Sequence, residues 1–240
     1  MNSTSIGWLV CTFSSLAGAS ELEVLCTDWK DYCNPDGSGI YFDIVDTIYR
    51  PSYSGIKKRV LPYKRSIFSA QQGHADIILG SYNNEIKNML YPNNPDAYDA
   101  IYLLTNRQNA PAATLQDISL KNKKLLLLKS NQEYINLIPF NAHLYFASNF
   151  ENAQQLLKIN RYDYLILEED NLPEKYSSNI VALYYRSILT YPAFPDTPEG
   201  RKNRARWDQQ LPQLRDNGQL QQIYLRYGRG SDYATLLTLY

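Results

Sequence analysis

An α/β fold in two lobes, each a central sheet flanked by helices and the pair joined by a two-stranded hinge, is predicted by three observations. These are a repeated local pattern, the apolar character of the strands within it, and the order of the remaining segments. The first copy of the pattern spans residues 65–80 (RSIFSAQQGHADIILG) and the second residues 150–168 (FENAQQLLKINRYDYLILE). Each reads as an amphipathic helix, a polar stop, an Asp and then an apolar run. In the first, Ile67, Phe68 and Ala70 mark the inward side, and Gly73 suits the left-handed residue that follows a helix. In the second, Ala153, Leu156 and Leu157 form an i, i+3, i+4 stripe behind Asn149, a residue type that caps helix starts. The runs 77–79 and 164–167 lack polar alternation, as parallel strands covered on both faces do. Ligands of open α/β sheets bind beyond the carboxyl ends of the strands, so a cleft between the lobes is the expected site.

The other elements follow in order. Residues 22–27 read as a short strand, followed by a polar loop in which Asp36-Gly-Ser-Gly39 is a strong turn signal. Residues 41–49 have helical spacing, with Phe42, Val45, Ile48 and Tyr49 on one side, and residues 57–61 form the next strand. An extended run over 99–106 leaves the first lobe. Residues 123–128 make a plain buried strand, and Ser130 is placed to cap a helix beginning Asn131-Gln132-Glu133. The run 180–189 leads back out of the second lobe. Thr197-Pro198-Glu199 opens a helix with Pro at its first position, and Trp207, Leu211 and Leu214 continue the inner face. Residues 218–227, closed by Gly228, are expected to be the final helix, with Leu220, Ile223 and Tyr224 inside. The expected division is residues 20–104 with 191–240 for one lobe and 105–190 for the other. Two crossings between them make a hinge, not a flexible linker.

Composition narrows the function. The 240 residues carry 24 basic and 24 acidic side chains, which excludes the electrostatic footprint of a nucleic-acid or acidic-membrane binder. Tyrosine outnumbers phenylalanine 21 to 7, and its stacking face and polar tip suit a wet, aromatic-lined cavity. His74 and His143 lie far apart, and no zinc spacing or Ser-His-Asp or Cys-His set is present, so neither metal nor cofactor is expected. Residues 6–19 are apolar and small and end in Ala17-Gly18-Ala19, which predicts an export signal over 1–19, although its basic opening segment is missing. No other stretch approaches a membrane span. Beyond the signal, Cys26 and Cys33 are an even pair, which in an exported protein reads as a disulfide. Its short loop corresponds to about 2–3 kcal/mol by chain entropy.

Four segments carry a family resemblance: Gly39-Ile-Tyr-Phe-Asp43, residues 72–78 (QGHADII), residues 160–166 (NRYDYLI) and residues 214–228 (LRDNGQLQQIYLRYG). Together, in this order, they resemble periplasmic solute-binding proteins of family 3, the group typified by amino-acid receptors of ABC importers. The last segment is the most specific, since the family commonly ends in Leu-x-x-x-Gly-x-Leu-x-x-Ile-x-x-x-Tyr-Gly. The resemblance implies the periplasmic-binding-protein fold across nearly all of the chain beyond the signal. It also implies a site. Trp29 and Tyr63 would flank an apolar or planar ligand part, each stack worth about 0.5–1.5 kcal/mol. Ser81, Tyr82 and Asn83 would present hydroxyl and backbone groups. Ser130, Asn131 and Gln132 would offer helix N-terminal N–H groups to a carboxylate. Glu168 would take the ligand's amino group.

The departures bear on the ligand. Where the family carries Thr-x-x-Arg to grip a carboxylate, residues 83–88 read NNEIKN, and Lys87 is the nearest cation. A lysine lacks the planar fork of an arginine. Glu168 stands where Asp is usual, and Tyr41 where Gly is common. An aromatic cleft with Glu168 and no Arg favours an amine or other cationic solute over an ordinary amino acid. The expected protein is a monomeric, non-enzymatic periplasmic receptor that hands a small polar solute to an ABC permease. The alternatives are a ligand-sensing partner of a membrane receptor, or a cleft enzyme of the cyclohexadienyl dehydratase type with Glu168 or Glu169 as general acid.

Overall fold

The structure, a computed structural model, describes residues 21–110, 118–129 and 141–239. The export signal expected over 1–19 and the helix start at Ser130, Asn131 and Gln132 lie outside these residues. In chain order the elements are β1 (Glu21–Cys26), α1 (Ile40–Tyr49), β2 (Gly55–Val60), α2 (Tyr63–Gln71), β3 (Ile77–Tyr82), β4 (Met89–Leu90) and β5 (Ala97–Asn106). There follow β6 (Lys124–Leu128), β7 (His143–Ala147), α3 (Phe150–Lys158), β8 (Tyr164–Glu168), β9 (Ile180–Pro195), α4 (Pro198–Asp216), α5 (Gln219–Arg226) and α6 (Gly230–Leu239). None of these helices is long and apolar enough to cross a membrane.

The strands join in the order β2-β1-β3-β9-β5-β8-β6-β7, with β4 paired to β9. β1 is parallel to β2 and β3, and β6 is parallel to β7 and β8. The outer halves are therefore two copies of one arrangement, β2-β1-β3 and β7-β6-β8, each closed by a long antiparallel strand. The repeated Asp explains itself here. Asp76 accepts the Glu23 N–H at 2.8 Å and donates its own N–H to the Glu23 carbonyl at 2.9 Å. Asp163 does the same to Lys124, at 2.7 and 2.9 Å. Each Asp ties the start of its strand to the start of the neighbouring one, which fixes the register of β3 on β1 and of β8 on β6.

The two halves meet on one antiparallel ladder. β5 and β9 pair from Ala97↔Thr190 to Asn106↔Ile180, while β9 continues onto β3 and β5 from Ile101 onward onto β8. These two strands are the connection between the halves in the sheet. Each half has its own core. One packs α1, α4 and α5 on the first half, with Phe42, Tyr49, Trp207 and Tyr224 buried. The other packs α3 on the second, through Ala153, Leu157, Leu165 and Leu167.

Two expectations need correction. The inward face of α2 is Ser66 and Ala70 with Ile67 half-buried, whereas Phe68 is 63% exposed. The helix docks through 66 and 70, one turn apart at i, i+4, and Phe68 falls a half-turn away on the outer side. Within α3 the expected stripe holds, with Ala153 and Leu157 buried and half-buried Leu156 packed against the same core. Finally, residues 218–227 are not the last helix. Gly228 does stop α5 at a φ of +72°, but the chain re-enters a helix at Gly230.

Candidate functional site

A cavity of about 440 Å³ opens where β1, β3 and β8 end and the β5–β9 ladder passes beneath. The carboxyl ends of the strands supply its walls, as an open α/β sheet requires. Trp29, Tyr32, Tyr41, Tyr63, Tyr82 and Tyr98 provide the aromatic surface, and Glu168, Glu169 and Asp170 come from the far side.

Trp29 stands on a tight turn after β1. The Cys33 N–H donates to the Trp29 carbonyl at 2.8 Å, and the Cys26–Cys33 disulfide closes the same turn with a Cα separation of 6.3 Å. The indole meets Tyr63 at a centroid distance of 6.0 Å and Tyr41, edge-on, at 6.5 Å. Beneath it lies Gly80, where the register of β3 on β9 slips between Ile78 and Ser81. Gly80 has a φ of +69°, and a Cβ built there falls 2.4 Å from the Trp29 ring. Only glycine fits both the backbone and the ring. Gly80→Ala is expected to cost about 1–3 kcal/mol in denaturant unfolding and to alter the near-ultraviolet dichroism of the indole. An unchanged spectrum would mean that Trp29 does not rest on this bulge.

Tyr63 is fixed by its hydroxyl, which donates to Glu85 Oε2 at 2.6 Å and lies 3.1 Å from Ser81 Oγ. The same Glu85 oxygen accepts the Tyr82 N–H at 2.9 Å. Burial, then Glu85, raises the Tyr63 hydroxyl pKa well above that of a free phenol, which keeps it a donor. Ser81 is fully buried and reaches the cavity only through Tyr63. Tyr82 reaches across the cleft. Its hydroxyl is 2.6 Å from Asp99 Oδ2 and 2.9 Å from Glu168 Oε1, and Asn171 donates to the other Glu168 oxygen at 3.1 Å.

The cavity thus collects Trp29, Tyr63, Tyr82 and Glu168 from the predicted set, with Ser81 behind Tyr63. Asn83 and Lys87 are exposed on the loop after β3 and do not line it. Several contributors were not predicted. Asp99 sits inside β5, in a run that is otherwise largely apolar. Thr190 accepts from the Tyr41 hydroxyl at 3.0 Å and donates to buried Asp96 at 2.8 Å. Arg229 follows the expected end of the last helix. Its guanidinium pairs with Asp31 at 3.1 Å and Asp232 at 3.3 Å and lies over the Tyr32 ring, so it serves as wall. The lining holds six carboxyl side chains, Asp28, Asp99, Glu168, Glu169, Asp170 and Asp232, against Lys30 and Arg229, which gives the space a negative potential. Among the described residues no cluster of His, Cys, Asp and Glu has a metal-holding arrangement.

No protein-family model matches the chain, and no curated protein does. Solved structures do match. A histidine kinase sensor domain with similarity to periplasmic binding proteins superposes with a TM-score of 0.60 at 18% identity, over 87% of this chain and 96% of its own. The fold is that of the periplasmic binding proteins. An amino acid ABC transporter substrate-binding protein of Streptococcus pneumoniae, solved with L-arginine, matches at a TM-score of 0.55 and 16% identity, over 89% of this chain and 96% of its own. An ancestral amino acid-binding protein, a precursor of cyclohexadienyl dehydratase, gives 0.56 and 16%, over 87% and 95%. The periplasmic-binding-protein fold accounts for the two similar halves, the antiparallel ladder between them and the cavity at the strand ends.

Proposed function

We propose that this chain is a divergent family 3 solute-binding protein that works outside the cytoplasm and closes on a small polar organic solute. In this reading residues 20–104 with 191–240 form one lobe and 105–190 the other, and the β5–β9 ladder is their hinge. The observation that carries the reading is the composition of the cavity wall: Trp29 and Tyr63 come from one half of the sheet, Glu168 from the other. A ligand touching both favours closure, and closure excludes water and strengthens each polar contact. An amino acid or an amine matches the size and polarity of the space. Delivery to an ABC permease is the leading role. Likeness to a sensor domain supports a second, in which the closed form is read by a membrane receptor.

A thermal-shift screen of amino acids, polyamines, small carboxylates and aromatic amines tests this. A ligand at 100 times its dissociation constant adds about 2.7 kcal/mol of stability, a readable shift. The expected result is a hit that disappears in both Tyr63→Ala and Glu168→Gln. Silence across the panel would overturn solute capture.

A further inference from the structure

The contacts across the cleft contain one proton more than the tyrosine supplies. Tyr82 has a single hydroxyl proton, yet its oxygen lies within hydrogen-bonding distance of two carboxyl groups, Asp99 at 2.6 Å and Glu168 at 2.9 Å. The hydroxyl donates to one. The second contact closes as a hydrogen bond when a proton on that carboxyl is donated back to the phenolic oxygen. With both acids ionised, the phenolic oxygen would face one of the two lone-pair to lone-pair. The arrangement joins the two halves of the sheet, since Tyr82 ends β3, Asp99 lies on β5 and Glu168 ends β8.

We propose that the cavity takes a cationic solute, an ammonium or guanidinium, whose charged head replaces the proton held along Asp99, Tyr82 and Glu168. This rests on the solute-binding reading and names the ligand class for the same cavity. The exchange balances: the cation's N–H groups donate to both carboxylates, and the displaced proton leaves to solvent. The charge around the chain points the same way. Asp170 and Asp96 are the other acids acting on Asp99, and Asn171 is neutral. Lys30 and Arg229 are the basic side chains of the lining, and Arg229 is paired with Asp31 and Asp232. Burial first, and then Glu168, hold the Asp99 carboxyl well above the usual carboxylate range, with the Tyr82 hydrogen bond opposing them. Aromatic faces of Trp29, Tyr63 and Tyr98 surround the remaining space and suit a cation's desolvated flank.

Titration calorimetry on the purified protein tests the exchange, with arginine, agmatine and putrescine as cationic probes, citrulline and glutamine as neutral ones, and glutamate as the anion. The expected result is binding of at least one cation, with about one proton released per molecule bound when two buffers of different ionisation heat are compared. Affinity for that cation then rises by up to about tenfold per pH unit until the chain is ionised. Asp99→Asn, a neutral mimic, abolishes the proton release and weakens the cation by at least about tenfold. If that variant does not fold, Glu168→Gln at the cavity wall gives the same readout, and the wild-type proton count needs no variant. Citrulline, glutamine or glutamate binding as tightly as the cations, without proton release, would overturn the cation exchange and leave the solute-binding reading standing. No binding by any probe would overturn both.

Discussion

Trp207→Ala is expected to lower the unfolding free energy by about 3–5 kcal/mol, the range for deleting a buried large aromatic. Trp207 is fully buried in α4, among the residues that pack this helix onto α1 and β9. Two losses combine. The indole volume becomes a cavity in a close-packed core, and the Asn94 carbonyl loses the Nε1–H donor that meets it at 2.9 Å. The neighbouring Asp208 accepts N–H groups from Asn93 at 2.7 Å and Asn94 at 3.1 Å. Together the two residues staple the segment that leads into β5, one strand of the hinge. Trp207→Phe separates the contributions, since it retains most of the apolar volume and loses the hydrogen bond, for about 1–2 kcal/mol. Urea unfolding followed by far-ultraviolet dichroism measures both. A cost below about 1 kcal/mol for the alanine variant would mean that α4 is not anchored as described.

The signals legible in the sequence were those of local repetition. Asp76 and Asp163 recur at the same place in both copies of one pattern because each performs the same two hydrogen bonds, and the apolar runs behind them are the buried strands β3 and β8. The tail pattern through Gly228 likewise reports a local fact, a helix and its stop. What could not be read depends on partners distant in the chain. Tyr82 meets Asp99 and Glu168 across 17 and 86 positions, and no periodicity within β3, β5 or β8 marks the three as neighbours. Phe68 was assigned inward because it is apolar, but the side of a helix facing the core is set by how the helix docks. There Ser66 is buried instead. Arg229 is not legible as a wall residue because Gly228 ends one helix, and a helix stop does not distinguish the end of a fold from a corner before α6. The resemblance found Trp29, Tyr63, Tyr82 and Glu168 at the cavity because strand ends are conveyed by pattern. It placed Lys87 and Asn83 with them by loop alignment, and there the exposed loop carries them elsewhere.

Asp96→Asn is expected to change how stability depends on pH. Asp96 is 1% exposed, and burial raises its carboxyl to about 7, against hydrogen bonds from Thr190 and from backbone N–H groups that favour the ion. One oxygen accepts from Thr190 at 2.8 Å, and Oδ2 has no hydrogen-bond partner. The sign follows from linkage. Below about pH 4 the acid is protonated in both the folded and the unfolded chain and contributes no pH dependence. Between about 4 and about 7 the unfolded chain ionises while the folded one keeps its proton, so stability falls as pH rises. Above that window the full penalty is present, up to about 4 kcal/mol at roughly 1.4 kcal/mol per pH unit. Asparagine keeps an acceptor for Thr190 and has no charge to desolvate. Its stability relative to wild type should therefore improve from about pH 4 to about pH 7 and level off above that in parallel urea titrations. The difference between the two curves reports Asp96 together with its influence on Asp99, whose carboxyl the Asp96 charge also raises. Curves that stay parallel would mean that Asp96 is already ionised in the folded protein. That outcome would also alter the cavity, because Thr190 and Tyr41 form its floor directly above Asp96. A neutral Asp96 leaves the negative potential of the cleft to Asp99, Glu168 and the acids beyond β8, where a bound cation would meet it.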